Sequence, residues 1–142
     1  MIGKYPAKLD DKSRLFVPAK LRGDLGSDFY VTLGVNCGHS CLTIYTADEW
    51  KRLTDNYNAL SISQRGGATS LIFNNACECT PDKQFRFALP SFLTAYAGID
   101  REVMIVGRAG QAEIWAADAY AAYEAENLSP EKLLASLEAI GL

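Results

Sequence analysis

The chain has 142 residues, 49% of them apolar and 22% charged, with a formal net charge of −3. That is enough to bury a core, too little for two large independent domains, and without any apolar run near the ~18 residues of a membrane span. The charge is unevenly placed: residues 1–22 carry Lys4, Lys8, Lys12, Arg14, Lys20 and Arg22 against Asp10 and Asp11, while residues 110–142 carry Lys132 against carboxylates from Glu113 to Glu138, so one end is a candidate anion-binding face and the other an acidic, solvated one.

In chain order, Tyr5–Leu9 reads as a short strand, Asp10-Asp11-Lys12-Ser13 as a polar turn and Arg14–Val17 as extended chain. Pro18 suits a first helical position, with Gly26 as the stop. Strands are expected at Phe29–Leu33 and Leu42–Tyr45, joined by a loop over Gly34–Ser40. Thr46-Ala47-Asp48-Glu49 has the pattern of a capping box, opening a helix whose Trp50, Leu53, Tyr57 and Leu60 share one face. A helix or loop at Ser61–Phe73, with a flexible joint near Gln64–Ala68, leads to a strand at Ala76–Thr80 and a second polar turn at Pro81–Phe85. An extended piece ends at Pro90, and a helix then runs to Ala97 with Gly98 as its stop. Strands at Val103–Val106 and Glu113–Trp115 precede a helix over Ala117–Asn127. Ser129-Pro130 caps a last amphipathic helix, with Leu133, Leu134, Leu137 and Ile140 expected to face inward.

The pattern Asp-x-x-x-Arg-x-x-x-Pro occurs twice, at Asp10–Arg14–Pro18 and Asp82–Arg86–Pro90, 72 residues apart. The flanks correspond as well: Leu15-Phe16-Val17 with Phe87-Ala88-Leu89, Leu25-Gly26 with Ala97-Gly98, Leu42-Thr43-Ile44-Tyr45 with Ala112-Glu113-Ile114-Trp115, and Trp50 with Tyr120. The chain is therefore expected to be two copies of one supersecondary unit, residues 1–60 and 61–142. Each copy is too small to close a core alone, so the two should intertwine.

Leu9-Asp10-x-Lys12-x-Arg14-Leu15-x-Val17-Pro18 and Asp82-Lys83-x-x-Arg86-x-x-Leu89-Pro90 resemble the paired signature of the MraZ family, within the AbrB-like swapped-hairpin superfamily of bacterial DNA-binding proteins. Cys41-Leu42-x-x-Tyr45-x-x-x-Glu49-Trp50, Ala76-x-Glu78-Cys79, Tyr96-Ala97-Gly98 and Val106-Gly107 with Glu113-x-Trp115 also fit, so the likeness runs from about Gly3 to Tyr123. It implies an α+β fold of two intertwined βαββα units. It also implies a transcriptional regulator of a bacterial division and cell-wall gene cluster, working in the cytoplasm at the nucleoid as a ring-shaped oligomer on G-rich direct repeats of double-stranded DNA. The family has glycine where Ser13 and Phe85 stand; glycine permits positive φ, and phenylalanine fits that conformation poorly.

Chemistry assigns parts within that frame. Arg14 and Arg86 carry planar forks that can bridge guanine O6 and N7. Lys8, Lys12, Lys20, Arg22 and Lys83 are candidates for phosphate contact, which adds affinity without sequence information. Asp10 and Asp82, four residues before each arginine, can orient the guanidinium; the same pairs can equally close a turn or a subunit contact. An antitoxin-like or scaffold protein that binds another protein is the alternative, because fold alone does not choose function. No catalytic triad, phosphate-binding glycine loop or His-x-x-x-His pair is present, so neither an enzyme nor a cofactor is expected. Cys37, His39, Cys41, Cys77 and Cys79 lack a Cys-x-x-Cys knuckle and are read as reduced thiols and a loop histidine, with a zinc or redox sensor as a weaker alternative.

Overall fold

The computed structural model describes residues 1–142 as a mixed α and β structure built on one antiparallel sheet. The strands are β1 (Lys4–Lys8), β2 (Arg14–Phe16), β3 (Phe29–Asn36), β4 (His39–Thr46), β5 (Cys77–Cys79), β6 (Arg86–Ala88), β7 (Glu102–Arg108) and β8 (Gln111–Ala116). The helices are α1 (Arg22–Leu25), α2 (Ala47–Asn58), α3 (Gly67–Asn74), α4 (Ser91–Tyr96), α5 (Ala117–Asn127) and α6 (Pro130–Ala139). Six strands form one sheet in the order β1-β7-β8-β4-β3-β5, and β2 pairs with β6 in a separate two-stranded ribbon.

The order reads the same from either edge once each strand is exchanged for its sequence equivalent. β1, from residues 1–60, pairs with β7, and β5, from residues 61–142, pairs with β3. At the centre β4 meets β8 with Leu42 opposite Ile114, Thr43 opposite Glu113 and Ile44 opposite Ala112. Every strand that begins a copy is thus completed by the other copy, and neither half has a closed sheet of its own.

Alternation along the strands sets two layers. On one face Phe29, Val31, Ile44, Ile105 and Ile114 pack with Leu15, Leu21, Leu89, Leu93 and Phe87 from the ribbon and the short helices, forming the main core. On the other, Cys41, Val106 and Trp115 lie under α5 with Tyr120 and Tyr123. α2 covers the neighbouring part of that face through Trp50, stacked on Tyr30 at 5.0 Å. Thr46 caps α2 by accepting from the Glu49 amide, as the capping pattern predicts.

Four local expectations change. The stretch after Pro18 is a single 3-10 turn at Ala19–Leu21 followed by the four-residue α1, not one continuous helix. β3 and β4 run on to a two-residue turn at Cys37-Gly38, with Asn36 opposite His39, so the expected long loop is absent. α6 forms with its Ser129 cap, but its apolar residues do not face inward: Leu133, Leu134 and Leu137 are 46%, 54% and 43% exposed, and Ile140 is more so. Amphipathicity identified the apolar face of the helix; nothing in this chain covers it.

Glu113 is the fourth change. It is buried rather than solvated with the rest of the acidic end, because it shares a sheet face with Trp115 beneath α5. A carboxylate there needs donors. It accepts from Trp115 Nε1 at 3.1 Å, Arg108 Nη1 at 3.2 Å and Asn36 Nδ2 at 3.3 Å. Its repeat equivalent and cross-strand partner is Thr43, so this network exists in one copy only.

Candidate nucleic-acid interface

The two Asp–Arg turns sit at the ends of the β2–β6 ribbon and have the same internal wiring. In the first, Asp10 Oδ1 accepts the amides of Lys12 and Arg14, both at 2.9 Å, and Oδ2 accepts Arg14 Nε at 2.8 Å. In the second, Asp82 Oδ1 accepts the amides of Gln84 at 2.9 Å and Arg86 at 3.0 Å, and Oδ2 accepts Arg86 Nε at 2.9 Å. Backbone bonds close each loop: Ser13 N to Asp10 O at 3.0 Å, and Phe85 N to Asp82 O at 2.9 Å. One carboxylate thus serves as both turn former and guanidinium clamp, which explains the four-residue spacing.

The residue before each arginine takes the left-handed conformation, Ser13 at φ 56° and Phe85 at φ 62°. The bulky side chain does not deform the second turn. The carbonyls of these two residues point into the opposite copy, where Ser13 O accepts from Leu89 N at 2.9 Å and Phe85 O from Val17 N at 2.8 Å. Each turn is therefore held by the strand exit of the other.

Both carboxyls are held below the usual carboxylate range. For Asp10, desolvation pushes up, but the amides of Arg14 and Lys12 and the Arg14 guanidinium outweigh it. For Asp82 the Arg86 amide leads, against desolvation, aided by the Arg86 side chain and the Gln84 amide. Aspartates so held stay ionised at neutral pH and keep both guanidiniums in place.

The ribbon register decides where the arginines point. Leu15 lies opposite Phe87 and both face the core; Arg14 lies opposite Ala88, and Phe16 opposite Arg86. Arg14, Phe16, Arg86 and Ala88 therefore share the outer face. The arginine side chains are 27% and 24% exposed, and each is tied to its aspartate through Nε. That leaves the terminal Nη1 and Nη2 edge, the one that matches a pair of acceptors on a base, without a partner in the chain.

The other sequence-proposed cations separate into two groups. Lys12, Lys20 and Lys83 are exposed and enter no ion pair. Lys8 on β1, opposite Glu102 on β7, has that carboxylate at 3.8 Å, and Lys4 is joined to Glu124 at 2.8 Å. Arg22 is the exception in geometry: its Nε donates to Val17 O at 3.1 Å and its guanidinium lies 3.9 Å over the Phe85 ring. It braces the second turn rather than reaching outward. Phe16 escaped the sequence reading, although its position two residues beyond Arg14 on a strand places it on the same face.

The cysteines and His39 do not converge on a metal cage. His39 Nε2 is 2.8 Å from Glu126, and Cys41 is buried with its thiol pushed up to about 12 by desolvation and the Glu113 charge. The Cys79 thiol, also buried, is pushed up as well, with Cys77 beside it. Neither is a reactive thiolate at neutral pH.

The family model described as "MraZ protein, putative antitoxin-like" matches residues 1–69 and 72–137. The chain belongs to the MraZ family. Among its relatives are the transcriptional regulators MraZ of Clostridium beijerinckii, 34% identical over 99% of both chains, and of Alkaliphilus metalliredigens, 35% identical over 99% of both. That of Halothermothrix orenii is 34% identical, again over 99% of each. Ser13 and Phe85 thus stand in an MraZ-family chain whose two turns keep one geometry. No helix of this MraZ-family chain is long and apolar enough to cross a membrane.

Proposed function

We propose that this chain is a sequence-specific, DNA-binding transcriptional regulator. In this reading it acts in the cytoplasm, at the nucleoid, on G-rich direct repeats in the promoter of a bacterial division and cell-wall gene cluster. The observation that carries it is the display of two guanidinium forks on one outer ribbon face, each preset by an aspartate that also builds its turn. An arginine fixed in this way loses little side-chain freedom on meeting guanine. Lys12, Lys20 and Lys83 supply phosphate contacts around it, with Lys8 after release from Glu102. Arg22 acts through Phe85.

The strand exchange between the two copies, taken as repeats 1–60 and 61–142, supports an AbrB-like swapped-hairpin fold within one chain. One subunit offers few base contacts, so a ring of subunits on tandem sites would convert weak single contacts into avidity. The relatives' names as transcriptional regulators point the same way.

The test is a gel-shift titration on a duplex of tandem G-rich repeats, against the same duplex with a single repeat, alongside light scattering of the free protein. Wild type should form an oligomer and prefer the tandem duplex; the Arg14→Ala, Arg86→Ala double variant should keep the oligomer and lose that preference. Unchanged binding by the double variant overturns the site.

A second reading has one observation in its favour. The uncovered apolar face of α6, with Leu133, Leu134, Leu137 and Ile140 exposed, suits a protein partner, and an antitoxin-like role or a scaffold would use it. A stoichiometric protein partner captured by wild type, lost on Leu134→Lys with no DNA binding in either, would favour that reading.

A further inference from the structure

The outer ribbon face holds more than arginines. Phe16 is 56% exposed there, an apolar ring directly opposite Arg86 across the ribbon. It borders a shallow apolar groove formed with Tyr5, Pro6, Pro18 and Ala19, and Lys8 and Lys20 stand at the rim of that groove. An apolar ring with cations beside it suits a major groove, whose floor of donors and acceptors is interrupted by the apolar C5 methyls of thymine and is flanked by phosphates.

We propose that Phe16 is a specificity-determining residue, reading the C5 methyl of a thymine in the base pair beside the guanine that Arg86 contacts. The inference rests on the DNA-binding reading above and names a second base class for the same face. Geometry allows it: opposed side chains on a two-stranded ribbon leave the backbone about 4.5–5.5 Å apart, and neighbouring base pairs are about 3.4 Å apart along each strand. Arginine and phenylalanine so placed reach consecutive base pairs. The methyl is the sole major-groove feature of thymine that an apolar ring can distinguish from its absence, since the O4 acceptor needs a donor. The repeat-equivalent side chain, Ala88 opposite Arg14, is exposed but carries one carbon beyond the backbone. The Arg86–Phe16 pair thus reads two adjacent bases, whereas the Arg14–Ala88 pair reads the guanine alone.

The experiment uses two synthetic duplexes of identical sequence, tandem G-rich repeats with every guanine run bordered by thymine. One duplex carries thymidine and the other 2′-deoxyuridine, so they differ in the C5 methyls alone. Affinities of full-length wild type, Phe16→Ser and Phe16→Leu are measured on both by anisotropy. Wild type should bind the thymidine duplex more tightly by about threefold to fivefold for each engaged repeat, the worth of one buried methyl. Phe16→Leu should retain most of that ratio and Phe16→Ser should bring it to one. Because the readout is a ratio within each variant, a general loss of affinity does not imitate the result. Equal binding of both duplexes by wild type overturns the methyl contact and leaves DNA binding standing. A ratio retained by Phe16→Ser overturns it too, and a changed sedimentation size in that variant would place Phe16 in a subunit contact instead. Absence of binding to either duplex overturns the DNA-binding reading and this inference with it.

Discussion

The turn at Asp10–Arg14 and the turn at Asp82–Arg86 differ at every position between aspartate and arginine, yet their hydrogen bonds agree within 0.1 Å. Serine and phenylalanine occupy the same left-handed site, which disfavours any side chain with a Cβ. The shared geometry therefore comes from the carboxylate's three bonds, the arginine and the strand pairing, and the local preference of the residue at positive φ is overridden. What the second turn adds is compensation: the Phe85 ring lies beneath the Arg22 guanidinium. The first turn has nothing equivalent. Two copies of a unit can keep one geometry with different local chemistry, provided the long-range bonds that hold them are the same.

The strongest way to break the equivalence is from beneath. Leu15 and Phe87 are the inner side chains of the ribbon, and Phe87 packs edge-on against Phe29 with centroids 5.1 Å apart. Phe87→Ala should cost about 3–5 kcal/mol and Leu15→Ala somewhat less, about 2–4 kcal/mol. Urea unfolding at one fixed protein concentration checks both. A cost below about 1 kcal/mol for Phe87→Ala would mean that the ribbon is not anchored through this pair.

Next in size is the comparison of the arginines themselves. Arg14→Ala and Arg86→Ala should each weaken binding to G-rich repeats by about 1–3 kcal/mol and relax base preference. Lys12→Ala should instead lower the slope of log affinity against log salt by about one, with preference unchanged. If one arginine variant binds like wild type while the other does not, the matching turn geometries do not carry matching roles.

How much of this was legible in the residues follows from which forces are local. The Asp-x-x-x-Arg spacing is a local device, and the repeat exposed it directly. The alternation that hides Leu15 and Phe87 is equally local, and it places Phe16 on the face of Arg14. That a phenylalanine is accepted at positive φ was not legible, because the bond from Val17 N that holds the turn and the Arg22 guanidinium that covers the ring both come from more than sixty residues away. The acidic neighbourhood of Glu113 in sequence suggests a solvated end of the chain; its burial follows from sharing a strand face with Trp115. For α6, the heptad-like spacing of leucines states which side is apolar, and no local signal states what that side meets.

A finer comparison concerns the left-handed residues. Ser13→Gly removes the steric cost of a Cβ at positive φ, and the greater freedom of glycine in the unfolded chain takes back part of the gain, leaving stabilisation of about 0.5 kcal/mol. Phe85→Gly gains the same relief but loses the stacking on Arg22, worth about 0.5–1 kcal/mol at an exposed site, so its net effect should be near zero or slightly destabilising. Arg22→Ala tests the brace: it should destabilise wild type by more than it destabilises Phe85→Gly, where only the Nε bond to Val17 O remains to be lost. Additive effects in that double-variant cycle would show that the contact does not support the turn.

The smallest effect is on acid sensitivity. Asp10 and Asp82 both have folded values below the ordinary carboxyl value of about 3.9. The unfolded state therefore binds protons first as the pH drops, and the stability each aspartate contributes is complete above that ordinary value. It declines as the pH falls through the depressed folded value, when the native carboxylate finally protonates and its hold on the amides and guanidinium weakens. Unfolding midpoints measured from about pH 5 down to about pH 2 should fall for wild type, and Asp10→Asn and Asp82→Asn should each start lower and fall less steeply, the double variant least steeply of all. If one single variant keeps the full wild-type slope, the two aspartates are inequivalent in strength even though their bond lengths agree within 0.1 Å, and bond geometry alone does not set how firmly each carboxylate is held.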